Sequence, residues 1–151
     1  MQNAIVMAEH LVFTLTAALG AMGEFAGHER RGSLGWPARS AILGLVAAAL
    51  GIRRGDAVGL ASLEPLRVAI AIFDDGMPLR DYHTVETIPT AQSKRPDSRR
   101  AALAEAGLKT NTLVTLRDYR CGPLFGVALW GKVPLKPIAE ALRKPVFTLY
   151  L

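Results

Sequence analysis

The sequence has a single cysteine, Cys121, in 151 residues, which excludes an intramolecular disulfide framework and any zinc site built on several thiolates. Of its three histidines, His10, His28 and His83, the first two are too far apart in sequence and too poorly supported by carboxylates to suggest a metal site. The apolar run from Ala41 to Leu50 covers ten residues and contains Gly44, whereas a bilayer span needs about 20. It reads as a core helix. The stretch before Ala17 has no basic leading segment and is interrupted by Glu9 and His10, unlike a secretory signal. Neither the lysine-serine ending of a P-loop nor a GxGxxG turn is present, which removes the two commonest phosphate-cradling routes to a nucleotide.

What is abundant is positive charge: 18 Lys and Arg against 13 Asp and Glu give +5 and a pI of about 9.8. An excess of this size in a small chain favours an anionic partner, with nucleic acid the commonest choice. Half the residues are hydrophobic, enough for one core and too little chain for two full-sized ones. A cysteine-poor chain of this kind suits a reducing, cytoplasmic setting.

"HLVFTLTA", His10 to Ala17, has the β-formers of a short buried strand. A loop with Gly20, Gly23, Gly27 and Gly32, the pair Arg30 and Arg31, and Ser33 follows. Pro37 then opens a helix to Leu50, with Ile42, Leu45, Val46 and Ala49 on one face. "PLRVAIAIFDD" from Pro65 predicts a second strand, ended at Asp74, Asp75 and Gly76 by turn chemistry rather than by a cation site. Residues 77–122 are strand-like at both ends and charged in the middle, as in an inserted β-hairpin with a mobile tip. "PLFGVALWG" predicts a third core strand, "PLKPIAEALRK" a short helix and "PVFTLYL" a last strand. Without the hairpin the order is strand, helix, strand, strand, helix, strand. That is a split βαβ unit: an α+β, ferredoxin-like (RRM-like) sheet with two helices on one face and a thumb inserted in a single domain over 1–151.

Three places carry candidate chemistry. At the start of the first helix, Arg39 and Ser40 stand beside unsatisfied backbone N–H groups, a combination that suits a phosphate. Pairing of Arg39 with a local carboxylate and capping by Ser40 is the competing reading. In "KRPDSRR", Lys94, Arg95, Arg99 and Arg100 form a basic tip that gains counterion-release free energy on a polyanion, or else simply keeps a loop solvated. "RDYHTV" and "RDYR" set Arg80, Tyr82, His83, Arg117 and Tyr119 at the two bases of the hairpin, mixing stacking faces with phosphate donors as single-stranded RNA recognition does. His83 is also a candidate general base for RNA cleavage, assisted by Tyr82 or a lysine. Cys121 reads as a small packing residue.

Taken in order, "PARSAILGLVAAALGIRRGD", "LRDYHTV", "LRDYR" followed by "FGVALW", and "LRKPVFTLYL" resemble CRISPR-associated protein family five, in its CasD-type branch from type I-E Cascade complexes. The resemblance spans nearly the whole chain. It implies a ferredoxin-like core with a protruding thumb that grips the 5′ handle of the CRISPR RNA and caps the backbone filament. It implies no cofactor, no metal and no catalysis, and partners that include the handle, the backbone subunit, the large subunit that reads target DNA, and no membrane. By motif it carries Arg39 and Ser40 to the handle-facing helix and Arg80, Tyr82, His83, Arg117 and Tyr119 to the thumb. Relatives in type I-C systems cleave precursor RNA with a Tyr, Lys and His set that has no clear counterpart here, which favours binding over catalysis; a metal-independent endoribonuclease using His83 as base is the competing activity. A ferredoxin-like assembly module without nucleic acid is the third reading. Family members also continue past "LYL", so the resemblance implies that part of the RNA surface lies outside these residues.

Overall fold

The computed structural model describes residues 9–27, 29–89, 97–107 and 109–150. Three strands, β1 (Leu11–Thr16), β5 (Leu66–Asp74) and β8 (Leu124–Gly131), form an antiparallel sheet in the order β1-β8-β5. β8 runs down its middle, and its alternate residues Phe125, Val127 and Leu129 are all buried. Val127 and Leu129 meet Ile42 and Val46 of α1 (Arg39–Leu50), Leu63 of α2 (Ala57–Leu63) and Leu135 and Ile138 of α4 (Leu135–Arg143) in one core cluster. The period of two on the sheet and of about 3.6 on the helix put these side chains on facing surfaces. The three predicted core strands and both predicted helices are present, their ends shifted by one or two residues. The first helix begins at Arg39 with Ala38 as its N-cap. A further helix, α2, follows, capped by Asp56, whose carboxylate accepts from the Gly59 N–H.

The expected last strand is absent among the described residues: 145–150 contain no strand. The reason lies at the end of α1. Gly51 (φ 79°) closes that helix, with Ile52 N–H donating to the Ala47 carbonyl, the six-to-one bond of a Schellman turn. The N–H groups of Val146 and Phe147 then donate to the Ala49 and Ala48 carbonyls at 3.0 and 3.2 Å. Donors that a fourth strand would have spent on a ladder instead go to carbonyls of the last helical turn. Among the described residues the sheet therefore has three strands, in the order β1-β8-β5.

A second sheet grows from the inserted hairpin. β6 (Met77–Thr87) and β7 (Asn111–Cys121) pair antiparallel along their full length. On the far edge of β7 lie β2 (Leu19–Gly20), antiparallel, and β4 (Arg30–Ser33), parallel, with β3 (Gly23–Ala26) outside β4. The glycine-rich loop of the sequence is thus three short strands that complete this sheet. The charged middle of the hairpin is not uniformly irregular either. Residues 99–106 form α3 (Arg99–Ala106), started by Ser98, whose hydroxyl accepts from the Ala101 N–H, with Ala102 and Ala106 buried. Arg99 ties α3 to the hairpin by donating to the Glu86 carbonyl at 2.6 Å.

The two sheets join at Gly76 and Gly122, both with positive φ. At Gly76 a Cβ would lie 2.7 Å from the Cys121 carbonyl oxygen, so the crossing point has room only for glycine.

Candidate nucleic-acid interface

The stretch "LRDY" occurs twice, at Leu79–Tyr82 and at Leu116–Tyr119. The antiparallel register of β6 and β7 sets the two copies against each other, Leu79 opposite Tyr119, Arg80 opposite Asp118, Asp81 opposite Arg117 and Tyr82 opposite Leu116. Because successive strand residues point to opposite faces, this register sorts the basic and aromatic candidates into two groups. Arg80 and Tyr82 share one face with Asp118. His83, Arg117 and Tyr119 share the other. The parallel pairing of β4 adds Arg30, opposite Leu116, to the first group and Arg31, opposite Arg117, to the second.

On the first face Asp118 is the hub. Arg30 donates to its Oδ2 from Nη2 at 2.8 Å and from Nε at 3.1 Å. Arg80 Nε donates to its Oδ1 at 2.7 Å, with Nη2 3.3 Å from Oδ2. Hydrogen bonds first from Arg80 and then from Arg30 hold the Asp118 carboxyl down at about 2, and the same contact raises Arg80. One carboxylate thereby aligns guanidiniums from two strands, leaving the trio at +1. Arg30, Ser33, Pro78, Arg80, Asp118 and Arg120 line a groove of about 320 Å³. Arg120 is held at its edge by Asp75 Oδ2, which accepts from Nη1 at 3.0 Å.

The second face pairs its charges less completely. Arg31 and Arg117 are cross-strand neighbours of like sign. The Arg117 Nε is buried and has no hydrogen-bond partner among the described residues. Asp81, directly opposite, instead lies 3.8 Å from His83 Nδ1. Adjacent guanidiniums without a full set of acceptors are the arrangement an outside anion satisfies.

Other candidates sit apart. Arg39 donates to Glu64 Oε2 at 3.1 and 3.2 Å and to the Glu64 and Leu66 carbonyls at 2.8 and 3.1 Å. This is the local pairing that stood beside a phosphate role in the sequence, and it ties α1 to the start of β5. Ser40 forms no cap bond. Arg99 and Arg100 lie in the first turn of α3, and Lys94, Arg95 and His28 lie outside the described residues. Tyr82 and His83, joined as an acid-base pair at sequence level, point to opposite faces of the sheet. Among the described residues no three potential metal ligands converge, and no helix is long and apolar enough to cross a membrane.

Asp118, Arg120 and the exposed Trp36 and Phe73 are the residues that sequence reasoning passed over. A signal existed for the first: two LRDY copies flanking a turn region are self-complementary when antiparallel, Arg against Asp twice. None existed for the aromatics, whose exposure depends on the tertiary arrangement.

The sequence profile of a family described as CRISPR-associated protein (Cas_Cas5) matches residues 10–151. The chain is 34% identical over 159 aligned positions to the CRISPR system Cascade subunit CasD of Escherichia coli (strain K12), a match covering 96% of this chain and 65% of that protein. It superposes with a TM-score of 0.70 and 32% identity on a chain of a CRISPR RNA-guided surveillance complex, covering 95% of this chain and 57% of the other. A solved Cas protein at 23% identity and a TM-score of 0.61, with 95% and 56% covered, shares the fold. The chain thus spans between half and two-thirds of the length of these relatives. With the profile matched from the first core strand through the last described residues, the chain belongs to this Cas5 family of CRISPR-associated proteins.

Proposed function

We propose that this chain is an RNA-binding component of a Cascade-type CRISPR surveillance complex, gripping the 5′ handle of the CRISPR RNA and capping one end of the backbone without chemistry of its own. The observation that carries the reading is the convergence of Arg30, Arg31, Arg80, Arg117 and Arg120 on one small sheet built from the inserted hairpin and the segment 19–33. Over the hairpin, 77–122, and the segment 19–33, ten Lys and Arg stand against seven Asp and Glu, an excess of three positive charges. Phosphate neutralisation supplies most of the affinity of such a surface, and exposed Tyr82 adds a stacking face. The family membership and the Cascade subunit among its relatives agree with this reading. Its partners would be the handle, the neighbouring backbone subunit and the large subunit.

The test is an anisotropy titration of labelled CRISPR repeat RNA at two salt concentrations, each sample then run on a denaturing gel. Binding that weakens steeply with salt while the RNA stays intact is the expected result. Arg31→Ala and Arg117→Ala should each flatten the salt dependence by roughly one phosphate's worth, a slope of about 0.7 on single-stranded RNA. An unchanged slope in both would remove the phosphate role. The proximity of Asp81 to His83 keeps one competing reading, repeat cleavage with His83 as base. Discrete products lost in His83→Ala would install it.

A further inference from the structure

The cationic groove does not end at Arg120. That residue also lines a second depression, of about 540 Å³, with Gly35, Trp36, Ile72, Phe73, Asp74 and Asp75. Two of its walls are aromatic and unusually open: Trp36 is 50% exposed and Phe73 66%. Phe73 reaches this place through a bulge. Ile72 pairs with Phe125 and Asp74 with Leu124, so one residue of β5 is left over between two successive positions of β8, and a bulge of this kind re-aims the extra side chain. The ring settles over Gly126, where a Cβ would come within 2.9 Å of it. Trp36 is set just before Pro37 and also borders the neighbouring hollow along Val68, Ile70 and Ile72.

The charges around this depression differ from those of the groove. Asp75 is neutralised by Arg120, while Asp74 accepts the Gly76 N–H on Oδ1 and presents a carboxylate at the rim. A phosphate is repelled there. A flat, uncharged ring with an exocyclic amino group is not: it finds aromatic surface for stacking and a carboxylate to receive its N–H. Large exposed apolar surfaces on a monomer call for an occupant, and the volume lies within the ~300–1,000 Å³ usual for small-molecule sites.

Resting on the RNA-binding reading above, we infer that the Trp36–Phe73 depression is a nucleobase subsite, taking one unpaired base of a single strand whose adjoining phosphates lie in the Arg30–Arg80–Arg120 groove. Continuity through Arg120, which borders both depressions, selects this occupant over a protein side chain. The subsite separates what the groove cannot: the groove reads charge, and the depression reads the presence of a base.

Tryptophan emission tests this directly, because the chain contains two tryptophans and Trp130→Phe leaves Trp36 as the sole reporter. The probe is an eight-nucleotide mixed-sequence single-stranded RNA, compared with an abasic strand of equal length and charge, binding of each being followed in parallel by anisotropy. Stacking should quench Trp36 with the first strand and leave it unchanged with the second. Trp36→Ala should weaken binding of the intact strand roughly tenfold, about 1.4 kcal/mol, without altering its salt slope, and Trp36→Tyr should recover most of the loss. Binding with no change in Trp36 emission, or equal quenching by both strands, overturns the subsite while leaving RNA binding in place; that is also the result if a protein side chain is the true occupant. Absence of any anisotropy change overturns the subsite and the RNA-binding reading together.

Discussion

The two sheets are built from different interactions. In the first, Val127 and Leu129 of β8 are buried against α1, α2 and α4, and removal of apolar surface from water, at about 25 cal/mol per Å², holds the layers together. In the second, β6 buries none of its side chains fully, and cohesion comes from the eleven-residue β6–β7 ladder and from ion pairs around Asp118. Exposed ion pairs contribute roughly 0–1 kcal/mol each. Stability therefore resides in the first sheet, while in the second arginines can be exchanged at small thermodynamic cost.

The largest effect that tests this division comes from the core. Leu129→Ala, at a position with no solvent exposure, should cost about 2–5 kcal/mol, visible as a lower Tm, whereas Arg31→Ala should stay within about 0.5 kcal/mol of the parent. If the arginine variant proved the more destabilised of the two, the assignment of roles would be reversed. Next is the junction. Gly76→Ala must hold a side chain at φ 77° and against the Cys121 carbonyl, a conformation costing roughly 1–2 kcal/mol before the clash is counted. Urea unfolding reads the loss, and a neutral result would mean that the two sheets do not cross as described. A smaller change is expected at the hairpin tip. Ser98→Ala removes the α3 cap at a cost of about 1 kcal/mol, and amide exchange should accelerate in residues 99–106 while β1, β5 and β8 keep their protection.

What the sequence revealed follows the same line. The strands β1, β5 and β8 and the helices α1 and α4 were legible to within two residues, because apolar burial leaves a period of two in Phe125, Val127 and Leu129 and a helical one in Ile42, Leu45, Val46 and Ala49, whereas the short core helix α2 was not. The strands β2, β3 and β4 left no such trace: two to four residues long, rich in glycine and arginine, they exist only because β7 offers them an edge. Helix α3 was masked by its charge, although Ser98 and the alanines after it were readable as a cap and a helix. The segment "PVFTLYL" has strand-forming residues, yet the N–H groups of Val146 and Phe147 go to carbonyls at the end of α1 instead of a ladder. At the site, residue types were visible and their grouping was not. Arg30 and Arg31 are adjacent in sequence and lie on opposite faces of a sheet; Arg30 and Asp118 are 88 residues apart and touch.

The smallest effect concerns acid, and it sharpens the comparison by asking whether the ion pairs of the second sheet persist in water. Asp118 titrates at about 2 when folded, against about 3.9 for an unperturbed aspartate. A depressed carboxylate contributes stability that is fully present above the unfolded value and is lost as pH falls through the folded one. Between pH 7 and about 4 the grip on Arg30 and Arg80 should therefore not change, and release should be confined to the window below that. Carbon-detected titration of the Asp118 carboxyl should place its midpoint near 2 in the parent chain and closer to the ordinary value in Arg80→Ala, with Arg30→Ala shifting it less, since Arg80 supplies the larger share of the depression. A midpoint already near 3.9 in the parent would show that both guanidiniums are free in solution, in which case the first face carries two uncommitted cations and its affinity for phosphate would exceed that of the Arg31–Arg117 face.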